Sequence, residues 1–125
     1  MKNFLYNMFA AIKNGSLSKR SFILCRKKKT CADFLKILWS EGYILGYSVE
    51  NDKLKIYLKY VNNVPAIKSL NTISKPGRRI YLKVKQIWKI DSNKNFIIFS
   101  TSKGFKTIVD CKKLKIGGEP ILIIN

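Results

Sequence analysis

The stretch YILGYSVENDKLKIYLKY, residues 43–60, decides the fold class. Leu54, Ile56, Leu58 and Tyr60 alternate with Lys and Tyr, the two-residue period of a strand with one core face and one basic face. Asn51 and Asp52 interrupt that period with turn residues, so 46–50 and 53–60 read as two strands of an antiparallel hairpin. Upstream the period lengthens to that of a helix. Phe34, Leu35, Leu38 and Trp39 make one apolar face that stops at Gly42, and Thr30 with Asp33 resembles a capping box at its start. Further upstream lie the cationic run Arg26–Lys29, a solvated loop by its composition, and a short strand over Phe22–Cys25. Phe4, Leu5, Met8, Phe9 and Ile12 predict a helix over 3–14, with Gly15 as its left-handed stop.

Downstream, Asn62, Asn63 and Pro65 break the strand pattern, and Ala66–Thr72 resumes it at the end of the first half. Ser74-Lys75-Pro76-Gly77 reads as a turn: Pro presets its φ at the second position and Gly accepts positive φ at the third. A strand over Arg78–Leu82 follows. Residues 83–90 permit a short helix, and 91–95 read as loop. The apolar run Phe96-Ile97-Ile98-Phe99 is that of a strand covered on both faces. Thr107–Lys115 is polar and basic, and Gly117-Gly118 leads into a closing strand over Glu119–Ile124. The fold class is therefore α+β in two small subdomains. Residues 1–66 form a two-helix unit with antiparallel strands, and residues 67–125 a mainly β unit.

Charge narrows the partner. Lys and Arg number 25 against 7 Asp and Glu, a formal charge of +18 in 125 residues. Such an excess repels itself in the compact state and is relieved by a polyanion whose counterions it displaces. No stretch approaches the roughly 20 apolar residues a membrane span needs, and the cations do not gather on one amphipathic helix. By composition 21 of the 25 cations are Lys and four are Arg, with Ile and Asn abundant, the bias of an AT-rich genome. A given Lys then carries less information than an Arg, and the pair Arg78-Arg79 gains weight.

Catalytic and metal chemistry find little support. The chain has no His, so neither a Ser-His triad nor the usual zinc spacings can be assembled. Cys25, Cys31 and Cys111 form no CxxC pair and read as small buried thiols. Neither a cofactor, a metal nor a small-molecule substrate is expected. Ser100-Thr101-Ser102-Lys103-Gly104 places three hydroxyls, a cation and a permissive glycine directly after the buried strand. It is either an ordinary polar turn or a loop that bonds phosphate, ribose and base edges together, and it lacks the spacing of a nucleotide P-loop.

Three segments taken in order carry a family resemblance: Ile73-Ser74-Lys75-Pro76-Gly77-Arg78-Arg79-Ile80-Tyr81, then Ser100–Gly104, then Gly117-Gly118-Glu119 before the last apolar strand. Together they resemble bacterial-type small-subunit ribosomal protein eight. A first helix closing on Ile12-Lys13-Asn14 and Glu41-Gly42-Tyr43-Ile44 after the second helix also have counterparts there. The chain departs from the family's Asp and Arg in the first helix at Asn7 and Lys13. The resemblance implies a structural, non-catalytic protein that binds the central domain of small-subunit rRNA and sits among neighbouring small-subunit proteins. It implies rRNA contacts from Ser100, Thr101, Ser102, Lys103 and Gly104, with Tyr81 and Glu119 close by, and a second contact from Lys13 and Asn14. Lys75, Arg78 and Arg79 join them on charge. The rival class is a non-ribosomal basic RNA binder or RNA chaperone. The genome bias, with Met1 close to the family's first helix, points to a mitochondrial ribosome, or to an AT-rich bacterium or a plastid.

Overall fold

The computed structural model describes residues 2–73, 78–92 and 96–124. It forms two compact units, Met1–Lys68 and Ser69–Asn125. The first holds helices α1 (Lys2–Leu17) and α2 (Lys29–Ser40) and strands β1 (Phe22–Arg26), β2 (Ile44–Glu50), β3 (Lys53–Leu58), β4 (Tyr60–Val61) and β5 (Val64–Pro65). β1, β3 and β2 make an antiparallel sheet in that order, and β4 pairs with β5. The alternation in β3 buries Leu54, Ile56 and Leu58, and the core is completed by Leu5, Met8, Phe9 and Ile12 of α1 and Phe34, Leu35 and Leu38 of α2. Phe9 and Phe34 join the helices, their ring centroids 4.8 Å apart.

Several local expectations change. The first helix does not stop at Gly15. It runs on to Leu17, and Lys19 takes the left-handed position at φ 55°, with the Arg20 N–H donating back to the Gly15 carbonyl. Gly15 is required for another reason: a Cβ there would lie 2.6 Å from Ile23 Cγ2, so its bareness lets β1 approach the helix. The second helix starts at Lys29 with Lys28 as an N-cap that makes no side-chain cap bond, which leaves Thr30 inside the first turn and removes the expected capping box. Gly42, at φ 80°, does end it, with the Tyr43 N–H bonded to the Leu38 carbonyl. Asn62 and Asn63 both adopt positive φ and turn β4 into β5, a reversal tight enough for asparagine.

The second unit contains β6 (Leu70–Thr72), α3 (Val84–Trp88), β7 (Phe96–Thr101), β8 (Gly104–Thr107), α4 (Ile108–Leu114) and β9 (Glu119–Ile124). Its sheet runs β6-β9-β7-β8. The strand expected over Ala66–Thr72 is thus only Leu70–Thr72, and it pairs with β9 rather than closing the first half. The strand expected over Arg78–Leu82 is not a continuous strand: Arg78 and Leu82 are isolated bridge residues, and Leu82 pairs antiparallel with Gly118. The polar segment Thr107–Lys115 is mostly helix. Thr107 caps it by accepting from the Asp110 N–H, Lys115 ends it at φ 55°, and Ile108 and Cys111 face inward. Ile87, Ile97, Phe99, Ile108 and Cys111 form the core there, and Ile97–Phe99 are buried consecutively as a doubly covered strand requires. The Ser74–Gly77 turn and residues 93–95 lie outside the described residues.

All three cysteines are free thiols. Burial pushes Cys25 and Cys111 up to about 11 and raises Cys31 as well, so each stays protonated and unreactive near neutrality. No described helix is long and apolar enough to cross a membrane.

Candidate nucleic-acid interface

The hydroxyl-rich segment is the tip of a β-hairpin rather than a free loop. Ser100 and Thr101 complete β7, Gly104 opens β8, and Ser102-Lys103 bridge them. Gly104 sits at φ 98°, the left-handed residue that follows a tight turn in such hairpins. The three hydroxyls then part company. Thr101 Oγ1 accepts from the Lys103 N–H at 3.1 Å and donates to the Gly104 carbonyl at 2.7 Å, so it shapes the turn. Ser102, Lys103 and Gly104 are exposed, and Ser100 is half-buried at the base.

That base meets β9. Ser100 pairs with Glu119 across the sheet, so the tip and the late Gly-Gly-Glu segment share one edge of the unit. Glu119 is only 8% exposed although charged. Arg79 closes on it side-on: Nε donates to Oε2 at 3.1 Å and Nη2 to Oε1 at 3.3 Å. Two parallel charge-assisted bonds fix the guanidinium plane, and the Arg79 side chain remains 66% exposed towards solvent. The segment carrying Arg79 is held by reciprocal backbone bonds between Leu82 and Gly118. Arg79, Ile80, Tyr81 and Glu119 line an open recess of about 220 Å³, with Tyr81 largely exposed.

Both glycines before Glu119 are places of close approach. A Cβ on Gly117 would fall 2.7 Å from the Leu82 carbonyl oxygen and 3.0 Å from the Tyr81 hydroxyl. One on Gly118 would fall 2.9 Å from the Ser100 carbonyl oxygen and from Thr101 Cγ2. Backbone cannot yield as a side chain tip can. Gly118→Ala is expected to destabilise the second unit by about 1–3 kcal/mol, the cost of forcing a methyl into a filled space. Urea unfolding followed by Trp88 fluorescence in a Trp39→Phe background checks this, and an unmoved midpoint would mean the strands can part cheaply.

The candidates named from sequence are therefore distributed. Ser100, Thr101, Ser102, Lys103, Gly104, Glu119, Arg79 and Tyr81 come together in the second unit. Arg78 is exposed beside Arg79 in the chain, and Lys75 lies outside the described residues. Lys13 and Asn14 are exposed on α1 in the first unit. There the structure adds two residues that the sequence reading passed over, Ser18 and Arg20, which line an open recess of about 260 Å³ together with Asn14. Arg20 is one of only four arginines, the signal that could have singled it out. The arrangement offers fixed cations, hydroxyls and one held carboxylate on a shallow surface. Among the described residues of this surface no nucleophile stands beside a histidine base, the chain having none.

The chain is similar to known proteins over nearly its whole length. The family model described as Ribosomal protein S8 matches residues 3–124. The chain is 40% identical over 124 residues to the small ribosomal subunit protein uS8m of Acanthamoeba castellanii, covering 97% of this chain and 98% of that one. It is 36% identical over 123 residues to the uS8 of Malacoplasma penetrans, with 94% of each chain covered. With the uS8 of Rhodospirillum centenum it shares 35% over 120 residues, 92% of this chain and 91% of the relative.

Proposed function

The chain belongs to the ribosomal protein S8 family, and on that membership we propose that it is a structural constituent of the small ribosomal subunit, binding the central domain of small-subunit rRNA and supporting assembly and translation. The observation that carries the RNA-binding part is the Arg79–Glu119 pair set beside the Ser100–Gly104 hairpin tip. Folded RNA presents a wide, shallow minor groove and irregular internal loops, where small hydroxyls and backbone groups fit better than a protruding helix. On this reading Ser100 and Ser102 bond ribose or base edges, Lys103, Arg78 and Lys75 neutralise phosphate, and Glu119 orients Arg79. Tyr81 offers a ring for stacking. Lys13 and Asn14, with Arg20, make the second contact from the first unit. The protein works by binding and carries out no reaction.

The relative that shares 40% identity bears the suffix m, the mark of a mitochondrial ribosomal protein, and the Lys, Ile and Asn bias agrees with an organellar genome. The mitochondrial ribosome is the compartment this supports, with neighbouring small-subunit proteins as its other partners.

Footprinting on small-subunit rRNA in the presence of excess unrelated RNA tests the function. A protected element in the central domain that survives competition is expected. Equal binding to every RNA would instead make the chain a general RNA binder. Within that assay Ser102→Ala is expected to weaken specific binding by about 1–3 kcal/mol, because an interfacial polar group loses its partner. An unchanged footprint and affinity would reduce the tip to a turn.

A further inference from the structure

Phe22 stands directly opposite Tyr57 in the β1–β3 pairing, and Tyr57 opposite Gly46 in the β2–β3 pairing. The next row on the same face is Leu24, Lys55 and Ser48, and the last is Arg26, Lys53 and Glu50. Ile23, Leu54, Ile56 and Leu58, which alternate with these residues, are buried, so the three rows make the face of the sheet turned away from the core. The outward face of a one-sided antiparallel sheet is ordinarily polar. Here it carries apolar side chains in contact with solvent: Phe22 is 40% exposed and Leu24 50%. The Phe22 and Tyr57 ring centroids lie 6.5 Å apart with their planes tilted by 58°. Lys55 Nζ leans over both, 4.3 Å from the Phe22 centroid and 5.4 Å from that of Tyr57. Beyond Tyr57 the row ends on Gly46, where a Cβ would meet nothing within 4 Å, so that flank is open.

Aromatic faces beside a mobile cation are what an unpaired base stacks on, because every base has a π-face and its phosphate finds the cation. Spacing selects the form of the strand. Stacked nucleotides rise about 3.4 Å each. Rings 6.5 Å apart and tilted therefore fit one base apiece from an extended, unstacked strand, and do not fit a duplex, whose bases are already stacked on each other. Charge agrees with this occupant. Glu50 is the acid of this face, and its charge is already met by Lys53 across the strands and by Lys55 at 3.8 Å. Over Met1–Lys68 as a whole, thirteen Lys and Arg stand against four Asp and Glu, so the unit draws an anion to its surface. Lys55 is held loosely, since a part-exposed ion pair at that distance contributes little, and its ammonium is free to pass from the rings to a phosphate when a base takes its place.

We propose that the outward face of the β1-β3-β2 sheet is a stacking platform for an unpaired stretch of RNA. Phe22 and Tyr57 each take one base, Leu24 packs against their flank, and Lys53 and Lys55 hold the adjoining phosphates. Stacking reads no base edge, so the platform tolerates sequence and selects for single strands. On the ribosomal reading above, on which this choice of occupant rests, the strand is a single-stranded segment of small-subunit rRNA, bound separately from the element that meets the hairpin tip.

The full chain irradiated with a short single-stranded oligouridine carrying iodouridine tests the platform, at about 200 mM salt where counterion release contributes less. Cross-linking at Phe22 or Tyr57 is expected. Phe22→Ser should weaken that binding on the order of 10-fold, whereas Tyr57→Phe, which keeps the ring, should bind as the parent does. A duplex of equal length should not distinguish Phe22→Ser from the parent. Cross-links confined to other residues, an affinity indifferent to Phe22→Ser, or a duplex weakened as much as the single strand would overturn the platform. The cross-link is read on the unaltered chain, so it decides the matter even where Phe22→Ser lowers the urea midpoint. In purified small subunits a photo-crosslinking amino acid at Leu24 should reach rRNA, and a cross-link to protein alone would overturn the proposed occupant. Absence of the chain from those subunits would overturn the ribosomal reading instead, and the oligouridine cross-link would still stand.

Discussion

The affinity of the free protein for its rRNA site is expected to fall by about three to five orders of magnitude between roughly 50 and 200 mM salt, if some 6–10 phosphates are engaged. The magnitude follows from counterion release. Each neutralised phosphate frees part of a condensed cation, and the logarithm of affinity then falls in proportion to the number of contacts. A chain of net charge +18 has cations to spare for such contacts, and most are lysines, which act as point charges with little geometric demand. A filter-binding titration over that range measures the slope, and a nearly flat line would contradict the electrostatic account. The same titration separates kinds of residue: Lys103→Ala should lower the slope by about one and weaken all RNAs alike, as loss of a phosphate contact does.

Large periodic elements were legible in the sequence, because burial alone dictates them. β3, α2 and β7 are each written in the spacing of Leu, Ile and Phe that the core removes from water. Ends and short elements were less so. Gly15 looked like a stop, yet its missing Cβ serves the approach of Ile23, a contact eight residues away that no local pattern encodes. Lys19 and Lys115 take the left-handed turn positions that glycine usually marks, so the true helix ends carried no warning. α4 was hidden because only Ile108 and Cys111 of its seven residues are buried, too few to set up a period. The site was half legible. Arg79 was picked out for the scarcity of arginine and Glu119 through the family resemblance, but 40 residues separate them. The Leu82–Gly118 bridge, a tertiary feature, helps to bring them together.

That pairing leads to the second large effect, because it gives a sign that charge alone cannot. Glu119 is an anion on a surface proposed to meet phosphate, so bulk electrostatics predicts that removing it strengthens binding to every RNA. Its geometry predicts the reverse for the specific site. With both carboxylate oxygens bonded to Arg79, Glu119 fixes the guanidinium beside Ser100, and losing that hold lets a long side chain recover its rotamer freedom before each encounter. Glu119→Ala is therefore expected to weaken the specific rRNA complex by about 1.5–3 kcal/mol, on the order of 10–100-fold in Kd, the worth of hydrogen bonds to a charged group. Binding to unrelated RNA should hold or tighten slightly, so specificity falls more than affinity. Glu119→Gln keeps the volume and one acceptor oxygen, and should lose less. Competition titrations at fixed salt, with the central-domain fragment and an unrelated RNA of equal length, read both quantities at once. If Glu119→Ala tightened both RNAs equally, the carboxylate would be a passive neighbour and Arg79 a general phosphate contact. If it weakened both equally, the change would have disturbed the fold of the second unit, which the urea midpoint would reveal independently.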